Sequence, residues 1–130
     1  MENKVKLLLS YGKKPKSDFD LGWKALIEKY APDMYDFLTS IGESDTIKQV
    51  AKFQAEIVII FNEKSVSTLD LLKEIKQTHP LVPVLIILSM KDDEQAVIDE
   101  FMACGAYKCY PQPMIIDTII HDMFVALNME

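Results

Sequence analysis

Two hydrophobic periodicities alternate along the chain. Residues 5–9 form a short apolar run that leads into Ser10-Tyr11-Gly12, the pattern of a strand followed by a turn. Phe19, Trp23, Leu26, Ile27 and Tyr30 then recur at helical spacing. They predict a helix with those side chains inward, capped by Ser17 or Asp18 and stopped at Ala31-Pro32. Residues 34–41 read as a second, less apolar strand. Ser44 caps a predicted short helix whose inner face is Ile47, Val50 and Ala51. Residues 56–61 form the clearest strand, since Ile57-Val58-Ile59-Ile60-Phe61 is apolar on both faces. Ser67 opens a helix with Leu71, Leu72 and Ile75 inward, closed by His79-Pro80. After Pro83, residues 84–88 repeat the doubly apolar strand pattern. Asp92 or Asp93 starts a helix anchored by Val97 and Phe101 and closed by Gly105 in a left-handed cap. Residues 106–110 predict a fifth strand. Pro111 and Pro113 precede a last helix with Ile116, Ile119, Ile120, Met123 and Leu127 inward.

Strands that are apolar on both faces belong to parallel sheets covered by helices on each side. Five strands alternating with five helices therefore predict an α/β fold with a five-stranded, doubly wound parallel sheet. The strand spacing of roughly 25–30 residues suits right-handed crossovers. In such a fold the working site lies beyond the carboxyl ends of the strands. Here those ends are residues 10–16, 61–65, 89–93 and 110–114.

Composition narrows the partners. The 130 residues carry 20 acidic and 14 basic side chains, a formal charge of -6, and 49% are hydrophobic. That is enough apolar content for one packed core, so a single domain over residues 1–130 is expected. Every basic residue is lysine. An acidic chain without arginine lacks both the basic face and the bidentate contacts that nucleic-acid binding uses. Cys104 and Cys109 are too few for a disulfide framework or a zinc site. The first ten residues show no signal-peptide cleavage site, and no apolar run reaches a membrane span. A cytoplasmic protein with no membrane partner is the expectation.

The second half of the chain resembles the receiver domain of bacterial response regulators. Val82-Pro83-Val84-Leu85-Ile86-Ile87-Leu88-Ser89 resembles the fourth strand of that family with its terminal hydroxyl residue, and Lys91-Asp92-Asp93-Glu94 the start of its fourth helix. Ala103-Cys104-Gly105-Ala106 and Gln112-Pro113 are similar to its Ala-Gly-Ala turn and closing Lys-Pro. In the first half, element order and spacing carry the likeness. The resemblance implies a flavodoxin-like fold and two-component signalling. An active receiver holds Mg²⁺ on an acidic pair after the first strand and phosphorylates an aspartate ending the third. A Ser or Thr after the fourth strand and a Lys after the fifth contact the phosphoryl oxygens. On this chain the acidic pair falls on Ser10 and Tyr11, the phosphoacceptor on Phe61 or, one residue later, Asn62, and the lysine on Gln112. Only Ser89 keeps its type. The resemblance therefore implies a degenerate, pseudo-receiver domain with no enzyme activity, no catalytic residue, no resident metal and no cofactor. By likeness to the family, the Gln112-Pro113 bond is expected to be cis.

Other readings compete at these strand ends. Glu63, Asp18 or Asp20 could act as a displaced phosphoacceptor, or be solvated acids at helix N-termini. Lys13, Lys14, Lys16 and Ser17 could hold a small anion, although one glycine and Pro15 make a poor phosphate loop; the alternative is a solvated basic loop. His79 and His121 lack the partners of a metal site or a triad. Receivers are read by partners on the face of the fourth helix, fifth strand and fifth helix. By resemblance Ile98, Met102, Tyr107, Lys108, Tyr110, Ile115 and Phe124 lie on or near it. That cluster is either an interface with a signalling protein or a second copy of the chain, or a broad core stripe.

Overall fold

The computed structural model describes residues 4–11, 18–62, 65–88, 94–110 and 116–127. The side chains of residues 18–22, 65–67 and 94 fall outside that description. Ten elements alternate: β1 (Val5–Tyr11), α1 (Asp18–Tyr30), β2 (Tyr35–Ile41), α2 (Glu43–Phe53), β3 (Ile57–Phe61), α3 (Ser65–Thr78), β4 (Val84–Ile87), α4 (Glu94–Ala103), β5 (Lys108–Tyr110) and α5 (Ile116–Ala126). All strand pairs are parallel, in the order β2-β1-β3-β4-β5. The expected doubly wound, flavodoxin-like sheet is the fold of the chain.

Strand alternation sorts the core into two layers. Leu7, Leu9, Ile57, Ile59, Leu85 and Ile87 face one side and pack with Trp23, Ile27, Ile119 and Met123 of α1 and α5. Leu8, Val58, Ile60, Val84 and Ile86 face the other and pack with Val50, Leu72, Ile75 and Phe101 of α2, α3 and α4. The doubly apolar strands are thus the central ones, buried on both faces. Strand order reverses between β1 and β3, and their carboxyl ends form the switch point of the sheet.

Several boundaries and faces differ from expectation. β1 runs two residues further, through Ser10 and Tyr11, because both pair with β2 and β3. α2 is not capped by Ser44, which lies inside the helix. The N-cap is Gly42 at φ 86°, a left-handed turn that glycine adopts without a Cβ clash. The inner face of α2 is Thr46 and Val50 with Ile47 half-buried against the core, as expected for Ile47 and Val50, while Ala51 is exposed. Similarly Ser67 lies inside α3, which begins at Ser65. On α1, Trp23 and Ile27 are buried but Leu26 and Tyr30 are exposed, since a helix lying on a sheet hides a narrower stripe. Gly105 closes α4 at φ 104°, and a Cβ there would lie 3.2 Å from Cγ of Lys76. Lys76 itself donates from Nζ to the carbonyls of Pro80 and Val82, both at 2.9 Å, bracketing the turn into β4. Partial burial pulls its pKa below the ordinary lysine value.

Phe101 is fully buried between α4 and the β3–β4 face. Its replacement in Phe101→Ala is expected to cost about 3–5 kcal/mol, as large-to-small core changes do. Urea denaturation checks it, and a loss below about 1 kcal/mol would refute the packing.

Candidate functional site

The carboxyl ends of the strands carry two rows of side chains. In parallel register, Ile41, Tyr11, Phe61, Ile87 and Tyr110 lie side by side across the sheet. One residue earlier the row is Ser40, Ser10, Ile60, Ile86 and Cys109. Neither row contains a carboxylate.

Alternation sends the first row toward α1 and α5. Tyr11 and Phe61 stack with ring centroids 4.4 Å apart and planes 3° from parallel. That distance is close to the spacing of adjacent strands, so the register itself sets the stack. Trp23 from α1 meets Phe61 at 5.4 Å, tilted by 58°. Such aromatic pairs add about 0.5–1.5 kcal/mol beyond the area they bury. At the far end of the row, Tyr110 donates its hydroxyl proton to Oδ2 of buried Asp122 on α5 at 2.7 Å. Lys108 stands 3.9 Å from the same oxygen. Burial pushes the Tyr110 phenol up, and the hydrogen bond to Asp122 and its charge push the same way. Tyr35, on the same layer, is pushed up to about 12 by burial.

Alternation sends the second row toward α2 and α3, where a hydroxyl cluster forms. Thr46 Oγ1 lies 2.7 Å from Ser10 Oγ and 2.7 Å from Ser40 Oγ, and it donates to the carbonyl of Gly42 at 2.8 Å. A threonine hydroxyl has one proton and two lone pairs. With the proton given to Gly42, both serines must donate to Thr46. All three residues are buried. The cluster ties the ends of β1 and β2 to the first turns of α2. The Gly42 N–H donates to the Tyr11 carbonyl at 2.7 Å.

Beside this cluster a cleft of about 170 Å³ opens between the first half of α2 and α3. Ser10, Tyr11, Gly42, Glu43, Ile60, Phe61, Thr68 and Leu71 line it. Hydroxyls and aromatic rings do not fit Mg²⁺, a hard cation that takes carboxylate and water oxygens in an octahedron. Among the described residues no group of three or more His, Cys, Asp or Glu side chains converges.

The structure brings Ser10, Tyr11, Phe61 and Asn62 together at the switch point. Asn62 follows Phe61, is buried, and donates its N–H to the Ile87 carbonyl at 2.9 Å. Ser89, Gln112, the bond from Gln112 to Pro113, Glu63, Lys13, Lys14, Lys16 and Ser17 lie outside the described residues, as do the side chains of Asp18 and Asp20. Of the face on α4, β5 and α5, Met102 is 44% exposed and Lys108 is exposed. Ile98, Tyr107 and Phe124 are half-buried against the two core layers. Tyr110 is not on that surface: at 6% exposure its ring is core and its hydroxyl is held by Asp122. Ile115 lies outside the described residues. Sequence reasoning missed the cluster around Thr46. Its signal was present, since Ser10 and Ser40 are small hydroxyl residues at the ends of apolar strands.

No family model matches the sequence, and comparison with curated proteins finds no match. Solved structures do match. NtrX from Brucella abortus, in complex with ADP, aligns with a TM-score of 0.74 at 20% identity, over 97% of this chain and 26% of that one. A response regulator receiver domain protein from Clostridium thermocellum gives 0.74 at 20% identity, covering 95% of this chain and 94% of the other. A response regulator from Thermotoga maritima gives 0.78 at 14% identity, covering 97% and 99%. The chain has the receiver fold. It spans about a quarter of NtrX and nearly all of the two shorter chains. Among the described residues, no helix of this receiver fold is long and apolar enough to cross a membrane.

Two predictions test the local chemistry. Thr46→Ala strands two buried serine donors and is expected to cost about 1–3 kcal/mol, which equilibrium denaturation measures. Tyr35 and Tyr110 both prefer the neutral form in the fold, whereas an unfolded tyrosine ionises near about pH 10. The unfolded chain therefore loses protons first, and stability falls as pH rises past about 10. Tyr35→Phe should flatten that fall. Tyr35 Oη has no hydrogen-bond partner among the described residues, so this variant should lose no stability at pH 7.

Proposed function

We propose that residues 1–130 are one receiver-like domain of two-component-type signalling that takes up no phosphoryl group and acts by docking to a protein partner. The likeness to receiver structures supports the signalling setting. The stacked pair of Tyr11 and Phe61 carries the rest. By resemblance these are the positions of a metal-binding acid and of the phosphoacceptor, and both hold rings packed on each other and, through Phe61, on Trp23. A phenyl ring offers no nucleophilic oxygen, and Asn62 supplies an amide in place of a carboxylate. The Ser10 hydroxyl gives its proton to Thr46 and brings no negative charge for a cation.

Signalling without phosphorylation leaves recognition to a fixed surface. Met102 and Lys108 are exposed on the face of α4 and β5, flanked by half-buried Ile98, Tyr107 and Phe124. An apolar centre with a charged rim suits a protein partner or a second copy of the chain. On this reading the domain has no enzyme activity, and nucleic acid is not its partner.

Addition of Mg²⁺ with beryllofluoride, a phosphoryl mimic, is expected to leave the amide spectrum unchanged at Ser10, Tyr11, Phe61 and Asn62. Saturable shifts there would overturn the reading. Phe61→Asp is expected to remain unlabelled by acetyl phosphate while losing about 2 kcal/mol or more, because the carboxylate replaces a stacked ring. Stable labelling of that variant would refute the assignment.

A further inference from the structure

The sheet has two edges, and they are built differently. β5 is three residues long and carries Lys108, a short, charged edge of the kind that discourages pairing. β2 is seven residues long, in unbroken register with β1, and holds neither proline nor lysine. Its backbone groups alternate between the two sides. Met34 accepts from the Val5 N–H and Gly42 donates to the Tyr11 carbonyl, so even-numbered residues face β1 and odd-numbered ones face outward. Of the outward set, the Ile41 N–H is taken by Asp45 Oδ2 at 3.0 Å, and Tyr35 is 2% exposed. Phe37 and Thr39 remain, half-buried and exposed, and their backbone groups make no hydrogen bond on that side among the described residues.

We propose that a second copy of the chain pairs here, its β2 antiparallel to this one about a two-fold axis at Leu38, so that the two sheets become one. This register sets Phe37 of each copy against Thr39 of the other, and every open backbone group finds a partner. Moving the axis to Phe37 or Thr39 would set an open residue against buried Tyr35 or capped Ile41. Half-buried Leu38 then meets its own counterpart on the side of α2, a cross-strand apolar pair. Charge favours a second copy over an arbitrary strand. Asp45, Gln49 and Lys52 share one side of α2 by helical spacing, and the bond from Ile41 to Asp45 turns that side to the open edge. Asp45 lies at the Ile41 end of β2. The other end of α2 lies near Asp36, since the Phe53 ring is 5.9 Å from Lys6 Nζ and Lys6 pairs with Asp36. A two-fold axis at Leu38 reverses these ends, so Asp45 of each copy faces Lys52 of the other. The two Asp36 side chains stand roughly 14 Å apart along the strands, beyond the Debye length of about 8 Å at physiological salt.

This edge lies across the sheet from the face of α4 and β5, so the two surfaces are tested apart. Sedimentation velocity of the full chain from about 0.02 to about 1 mM is expected to show monomer giving way to dimer, because a contact of this size sits at the weak end of the interface range. Over that range amide hydrogen exchange at Phe37 and Thr39 should slow at least about threefold, while Ile41, already capped, stays constant. Thr39→Lys puts a cation opposite Phe37 of the other copy, whose ring centre is already 5.7 Å from Lys24 Nζ. It should raise the dimer dissociation constant at least about tenfold and leave the circular dichroism spectrum of the monomer unchanged. Lys52→Asp, on the exposed side of α2, should raise that constant at least about threefold. A chain that stays monomeric at about 1 mM, or a dimer formed without slowed exchange at Phe37 and Thr39, would overturn the proposal. So would a dimer that either substitution leaves intact.

Discussion

The pairing of β1 with β3 is the constraint on which the rest depends. These strands are central, buried on both faces, and parallel in register from Leu7 beside Ile57 to Tyr11 beside Phe61. A slip of one residue would turn every side chain to the opposite layer. Leu7, Leu9, Ile57 and Ile59 would then face α2 and α3, and Ser10 would turn into the apolar layer under α1. The register thus holds two core layers at once. It also decides what stands at the switch point, where a doubly wound sheet places its working site.

That register gives the two sides of the switch point opposite character. Toward α1 and α5 the strand ends close with rings: Tyr11 on Phe61, with Trp23 tilted against Phe61. Toward α2 and α3 they close with hydroxyls, Ser10 and Ser40 converging on Thr46. The first arrangement is an extension of the apolar core to its rim. The second consumes polar groups internally, each hydroxyl of the cluster bonded to another or to a carbonyl. A charge-neutralising site for a phosphoryl group would need the reverse, with acids and a cation gathered at the tips of the strands. On the proposed reading, recognition falls to the face where Met102 and Lys108 are exposed beside half-buried apolar neighbours.

The fold was legible in the sequence because continuous apolar runs such as residues 57–61 and 84–88 are too short for buried helices and alternate with helical patterns, and Pro83 marks the start of the second. Element faces were legible where a single large residue dominates, as for Phe101 or Ile75. They were less so on α1 and α2, where helical spacing alone nominated Leu26, Tyr30 and Ala51. Which residues of a stripe are covered depends on how the helix lies on the sheet, and that is a tertiary property. Ser44 looked like a cap by residue type, yet Gly42 provides the left-handed turn and Asp45 Oδ2 accepts from the Ile41 N–H at 3.0 Å. The aromatic stack was foreseeable only as two residue names. Its meaning came from their adjacency in register.

Thr46 shows how a tertiary role hides from local pattern. A threonine in the first turn of a short helix reads as neutral filler, poorly suited to helices. Here its side chain bonds back to Gly42, and that one proton decides the direction of every other hydroxyl bond in the cluster. A valine at position 46 would fill the same space and leave the serine protons free to turn. The polarity of the switch point is therefore set from α2, by the residue that holds the ends of β1 and β2 together.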